Sequence, residues 1–112
     1  MIERNLYLIQ RITAVLLLPM ILVHLVLILY AVRDGLTAAE ILSRTRGSAV
    51  WAAYYIGFVA AVALHAPIGL RSIMIEWSNL RPKEANFVAI LIGLIFLSLG
   101  LRSVSAVIGG GA

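Results

Sequence analysis

Three stretches without a charged side chain decide what this chain can fold into: Ile12 to Val32, Gly47 to Leu70 and Ala85 to Leu101, of 21, 24 and 17 residues. Crossing a hydrocarbon core of ~30 Å takes about 20 helical residues at about 1.5 Å each. The first two stretches are long enough alone. The third reaches that length only by continuing through Arg102 to about Ile108, with the arginine snorkelling toward the far interface or pairing inside the protein. Backbone polar groups cannot stay unpaired in lipid, and runs this long without alternation exclude barrel strands. The expectation is an all-α membrane protein in which three transmembrane helices, at about 6–32, 48–75 and 86–108, run up, down and up as a single domain over 1–112.

Composition agrees: 62% of the 112 residues are apolar and 12% charged, and cysteine is absent, which excludes disulfide scaffolds, cysteine metal sites and disordered tails. The net charge of +4 comes from cations scattered singly between the apolar runs, so it reads as contact with lipid headgroups and not with nucleic acid. Tyr7 and Trp77 fall at one membrane face and Tyr30 and Trp51 at the other, as amphipathic rings prefer. Thr37 and Glu40 form a capping-box pattern that predicts one short interfacial helix in the first connection. The second connection, Ser78 to Glu84, is a short polar turn that makes the last two spans antiparallel neighbours. Arg4, Arg11, Arg71, Arg81 and Lys83 on one side, against Arg33, Arg44, Arg46 and Arg102 on the other, favour a cytoplasmic N-terminus. The opening Met1-Ile-Glu-Arg-Asn lacks the layout of a cleavable signal, so the first segment is expected to stay as a span.

Polar side chains at bilayer depth are costly and invite a functional reading. His65 is the sharpest case. Ala53, Gly57, Ala61, His65 and Gly69 recur every four residues, a stripe that admits either another helix or a flat cofactor, with Gly69 leaving room for a porphyrin face and Pro67 placed to kink the helix. His65 is then a haem ligand through neutral imidazole, or a histidine hydrogen-bonded across a helix interface. His24 is the second candidate, on a face it shares with Gln10, Thr13 and Leu17. Spacing leaves open whether the two imidazoles meet at one depth. Arg11 could donate to a quinone carbonyl or a haem propionate. Arg71, with Glu76, could do the same or form a boundary ion pair. Arg102 reads as an anchor.

Two segments resemble a known family. Leu8-Ile-Gln-Arg-Ile-Thr-Ala-Val15 opens the first helix, and His65-Ala-Pro-Ile-Gly-Leu-Arg-Ser-Ile-Met-Ile-Glu-Trp77 closes the second. They are similar to the small membrane-anchor subunits of succinate dehydrogenase and fumarate reductase, respiratory complex II. His65, Gly69, Leu70, Arg71 and Glu76 match that family's second-helix motif in order and spacing, and Arg11, Thr13 and Ala14 match its first. Gln10 departs from the histidine common in the first motif, and Trp77 stands where some members carry a quinone-binding tyrosine. The resemblance implies that His65 ligates the iron of haem b. It implies that Arg11, Thr13, Arg71 and Trp77 line a quinone or the haem propionates, and that His24 serves a second haem as in two-haem members.

It further implies partners: a second membrane-anchor subunit completing a haem-containing bundle, an iron–sulfur subunit and a flavoprotein subunit, assembled on the inner (plasma) membrane. Electrons from succinate would pass through the cluster to membrane quinone. The physical reading points the same way, since three helices cannot surround a macrocycle and a lone histidine leaves an axial position for another chain. No Gly-rich nucleotide loop appears, so flavin chemistry lies elsewhere. The alternatives are a cytochrome b anchor of another respiratory oxidoreductase, a haem-free anchor, and a small multidrug-type transporter. The last needs a membrane-embedded carboxylate, whereas Glu3, Asp34, Glu40, Glu76 and Glu84 all lie at boundaries or in loops.

Overall fold

The computed structural model describes residues 2–109. It contains four helices: α1 (Ile2–Asp34), α2 (Ala38–Thr45), α3 (Ala49–Trp77) and α4 (Pro82–Gly109). α1, α3 and α4 are each long and apolar enough to cross a membrane, and each covers one of the three expected spans to within a residue. All three extend past those spans into polar sequence at one or both ends.

The ends are set by local chemistry. Gly35 follows α1 at φ +136°, a conformation that side chains resist, and the Glu40 carboxylate packs where its Cβ would stand. The Thr37 hydroxyl accepts from the Glu40 backbone N–H at 3.2 Å and donates to the Glu40 carboxylate at 2.6 Å, starting the short α2 that the capping pattern predicts. Its far end is tied to α4. Thr45 donates its hydroxyl to the Val107 carbonyl at 2.6 Å, and the Gly47 N–H donates to the Ile108 carbonyl at 2.9 Å. Those bonds satisfy two carbonyls that the last turn of α4 leaves free. Ser48 caps α3 by accepting from the Trp51 N–H at 3.2 Å. Pro82 occupies the first position of α4, where its missing N–H costs nothing, and the Glu84 carboxylate accepts from the Arg81 backbone N–H at 3.0 Å.

α3 is the central element, packed on α1 on one side and α4 on the other. Small residues allow the close approach. The Met20 methyl fills the space over Gly57, the Gln10 amide lies against Gly69, Gly93 meets the Ala63 carbonyl and Pro67 ring, and Gly100 seats Val59. α3 continues through Pro67 as helix. Gln10 opposite Gly69, Thr13 opposite His65 and Met20 opposite Gly57 fix an antiparallel register between α1 and α3. Leu17 and Ala61, both buried, fall at one level in it. Asn86 opposite Arg71 and Gly100 opposite Val59 fix the register of α4 in the same way. The remaining surface is dominated by exposed Leu, Ile, Val and Phe, as expected where the surrounding medium is lipid.

Candidate functional site

Thr13, buried on α1, connects that helix to the central histidine. Its hydroxyl lies 2.7 Å from the Ile9 carbonyl and 3.1 Å from the Gln10 carbonyl, and 3.1 Å from His65 Nδ1. With the hydroxyl proton on a backbone carbonyl, Thr13 accepts from Nδ1–H, the tautomer that leaves the lone pair on Nε2. Among the described residues Nε2 has no hydrogen-bond partner, and it is not among the occluded polar atoms. A second-sphere oxygen holding Nδ1–H while Nε2 stays free is the arrangement a metal-ligating imidazole uses.

The rest of the expected set divides. The stripe containing His65 packs against α1, and the Gln10 amide occupies the space beside Gly69 that a porphyrin face was expected to use. Gln10 Oε1 is buried there without a partner. Arg11, two positions from Thr13 and so about 160° around α1, points away from α3. It is exposed, its guanidinium 5.8 Å from the centre of the Tyr7 ring. Trp77 is exposed at the last turn of α3. Of the four residues expected at a quinone or the propionates, Thr13 alone touches His65.

Arg71 is buried and tied across all three long helices. It donates to Asn86 Oδ1 on α4 and to both carboxylate oxygens of Glu3 on α1, one of them at 3.1 Å. Its ion pair is with Glu3 and not with the anticipated Glu76. Sequence reading missed both partners. Glu3 reads as a loop acid because the apolar run alone does not show α1 beginning at Ile2, and Asn86 carries no charge to mark it. The i+7 placement of Glu3 and Gln10 on the polar face of α1 was the available signal.

His24 lies 11 residues beyond Thr13 on α1, hence about 16 Å from the level of His65. Two imidazoles on one iron must approach to within about 4 Å, given Fe–N bonds near 2 Å, so these two cannot share a metal. The sequence estimate placed them a few ångström apart because it set Arg11 level with Glu76. The packing instead sets Arg11 level with about Pro67. His24 meets Tyr55 and Phe58 edge-on, at ring separations of 6.4 and 5.2 Å, and its buried Nδ1 has no partner among the described residues. It borders an apolar cavity of about 480 Å³ walled by Phe58, Val59, Phe96, Leu99 and Val104. On the other face of α3 a cavity of about 590 Å³ has Arg71 and Asn86 at its end near Ile2. His65 borders neither.

The model of one protein family, described as the succinate dehydrogenase/fumarate reductase transmembrane subunit, matches residues 2–101. No curated protein and no solved structure matches the chain.

Proposed function

The chain belongs to the succinate dehydrogenase/fumarate reductase transmembrane-subunit family, and from that premise we propose that it is the haem b-binding membrane anchor of a succinate:quinone oxidoreductase. The single observation that carries the haem reading is the Thr13–His65 pair, with Nδ1–H held and Nε2 left open toward the chain's exterior. His65 would hold the haem iron through Nε2, and a second membrane-anchor subunit would supply the rest of the pocket. Haem held there would supply a one-electron carrier inside the bilayer. His24, at its separate depth, is a candidate ligand for a second haem and not for the first.

This chain's own residues do the positioning. Thr13 fixes the tautomer and plane of the imidazole, and Leu17 and Ala61 close the interface on one side of it. Arg11 lies level with Pro67 and leans toward Tyr7, which takes its guanidinium to the polar boundary near Ile2. There it can donate paired hydrogen bonds to a quinone carbonyl or a propionate arriving from outside the chain. Arg71 is engaged by Glu3 and Asn86, so its role is to hold the three helices at that boundary. We assign the Ile2 end to the cytoplasmic side of the inner membrane, where iron–sulfur and flavoprotein subunits dock. The electron source must lie on such subunits, because the chain has no cysteine.

The test is a reduced-minus-oxidised optical spectrum of the complex purified from membranes. His65→Leu is expected to remove the b-type signal assigned to this site, with all subunits still co-purifying. A full-strength signal in that variant would place the ligand on another residue.

A further inference from the structure

The cavity of about 590 Å³ between α3 and α4 has no part in the proposed function. It is a groove with a polar end at Arg71 and Asn86 and a deep end at Ala60 and Leu97. Arg71 to Ala60 on α3 and Asn86 to Leu97 on α4 are both intervals of 11 residues, about 16 Å. Half of a ~30 Å hydrocarbon core is about 15 Å. The Arg71–Glu3–Asn86 layer lies at the polar boundary, so the groove runs from that boundary to the middle of the membrane.

Small residues make its floor. Ala89 is buried there, and Gly93 lies against Pro67. The rim opens sideways to lipid, because Leu64, Ile90 and Leu94 are exposed. Apart from Arg71 and Asn86, the described side chains that line the groove are apolar. Water finds no bonding partners in such a space, and leaving it empty forfeits the packing contacts of its walls.

The polar end offers a donor. Arg71 Nε–H can only donate, so the Asn86 atom that faces it is Oδ1. Nδ2 is left with no hydrogen-bond partner among the described residues, and it is not occluded. The Arg71 guanidinium itself is taken up by Glu3 and Asn86. An occupant therefore needs an acceptor oxygen at the boundary and an apolar body below it.

Candidate occupants meet that requirement unequally. A transmembrane helix about 10 Å across fills about 1,250 Å³ over about 16 Å of its length, more than the groove holds. A quinone has carbonyls on opposite edges of its ring, and the second would face apolar side chains unpaired. A phospholipid keeps its polar atoms at one end. Its ester carbonyl sits at the edge of the hydrocarbon, and its acyl chain is as long as a leaflet's core is deep.

We propose that this groove holds one acyl chain of a phospholipid from the leaflet on the Ile2 side, with the ester carbonyl accepting from Asn86 Nδ2. The site is distinct from the Thr13–His65 pair and stands whether or not His65 binds haem.

The test places the complex in phosphatidylcholine vesicles containing a phosphatidylcholine with a diazirine at the end of one ester-linked acyl chain. After irradiation, adducts mapped by mass spectrometry are expected on Leu97 and Ala60, at the deep end. An ether-linked probe, which lacks the carbonyl, should label these positions about tenfold less, the worth of one hydrogen bond. Asn86→Asp keeps the acceptor for Arg71 and removes the donor, so it should cause the same loss, and combining it with the ether probe should lower the yield no further. Ala60→Trp fills the deep end and should abolish the Leu97 adduct. Absence of groove adducts, equal labelling by ester and ether probes, or a full yield in either variant overturns the proposal. So does loss of the adducts on adding excess prenylated benzoquinone, which would make the groove a quinone site. His65→Leu should leave the adducts in place, which keeps this outcome separate from the haem test.

Discussion

The half of the bundle near Ile2 and the half near Asp34 treat their polar groups in opposite ways. Near Ile2, Arg71 bonds to α1 and α4 at once, and His65 shares a hydrogen bond with Thr13. Apart from Gln10 Oε1, which has no partner among the described residues, the buried polar groups here join helices within the chain. Toward Asp34, His24 Nδ1 is buried without a partner among the described residues, and Ser98, Arg102 and Ser105 are exposed. Tyr54 donates to the Met20 carbonyl across α1 and α3 at 2.6 Å, Arg44 to Asp34, and the short surface helix α2 is bonded to the last turn of α4. In lipid the hydrophobic effect gives little reason for helices to associate, so such polar bonds and small-residue contacts set the packing. The first half is joined through charged and imidazole groups, the second, apart from the open Arg44–Asp34 pair, through neutral hydroxyl-to-carbonyl bonds.

The largest stability effect is expected where that internal bonding is densest. Glu3→Ala leaves a guanidinium that is about 5% exposed with Asn86 as its one remaining partner. Hydrogen bonds to charged groups are worth about 1.5–3 kcal/mol. The Glu3 side chain is 68% exposed, so water replaces part of the loss, and the fall in stability is expected to exceed that of the matching cut at the other end. The matching cut at the other end is Asp34→Ala, which removes an open pair with Arg44 worth at most about 1 kcal/mol. Thermal unfolding of the purified complex compares the two variants. Equal shifts would erase the distinction between the halves.

Thr13→Val probes the imidazole support without removing the ligand. The methyl keeps the volume and deletes the acceptor for Nδ1–H. Losing such a second-sphere bond costs about 10–100-fold in metal affinity. The complex should therefore retain a b-type spectrum when haem is in excess and lose it on dilution, while Thr13→Ser restores the wild-type behaviour. Retention as firm as in wild type would make the Thr13–His65 contact a packing feature alone.

The difference between the halves also explains what could be read in the sequence. Charge-free runs locate helices because charges are excluded from hydrocarbon, and the Thr37–Glu40 cap was legible because it is local. The shared face of Gln10, Thr13, Leu17 and His24 followed from helical period, and all four do line the α1–α3 side. Register did not follow. It depends on which small residue receives which neighbour, Gly57 under Met20 and Gly69 beside Gln10, and no charge marks those pairings. The error in register placed the two histidines too close together, whereas Arg71 was paired with Glu76 because the apolar run alone does not show that α1 begins at Ile2 and carries Glu3. The second ligand and the quinone of the proposed function would belong to other molecules, so their positions are not encoded in this chain.

The smallest effect is expected at His24, and it tests the separation of the histidines most directly. His24→Phe keeps a ring against Tyr55 and Phe58 and removes the orphaned nitrogen beside the 480 Å³ cavity. A ring-for-ring exchange in an apolar setting typically costs less than about 1.5 kcal/mol, and deleting an unpaired buried polar atom offsets part of that. Thermal unfolding should shift little. The signal that His65→Leu removes should be untouched, since the two sites lie about 16 Å apart along α1. If a second haem sits at His24, a different b-type component disappears in His24→Phe and the first remains. Loss of the His65-dependent component in His24→Phe would mean that the two halves share one site, contrary to the register read from Thr13 and His65.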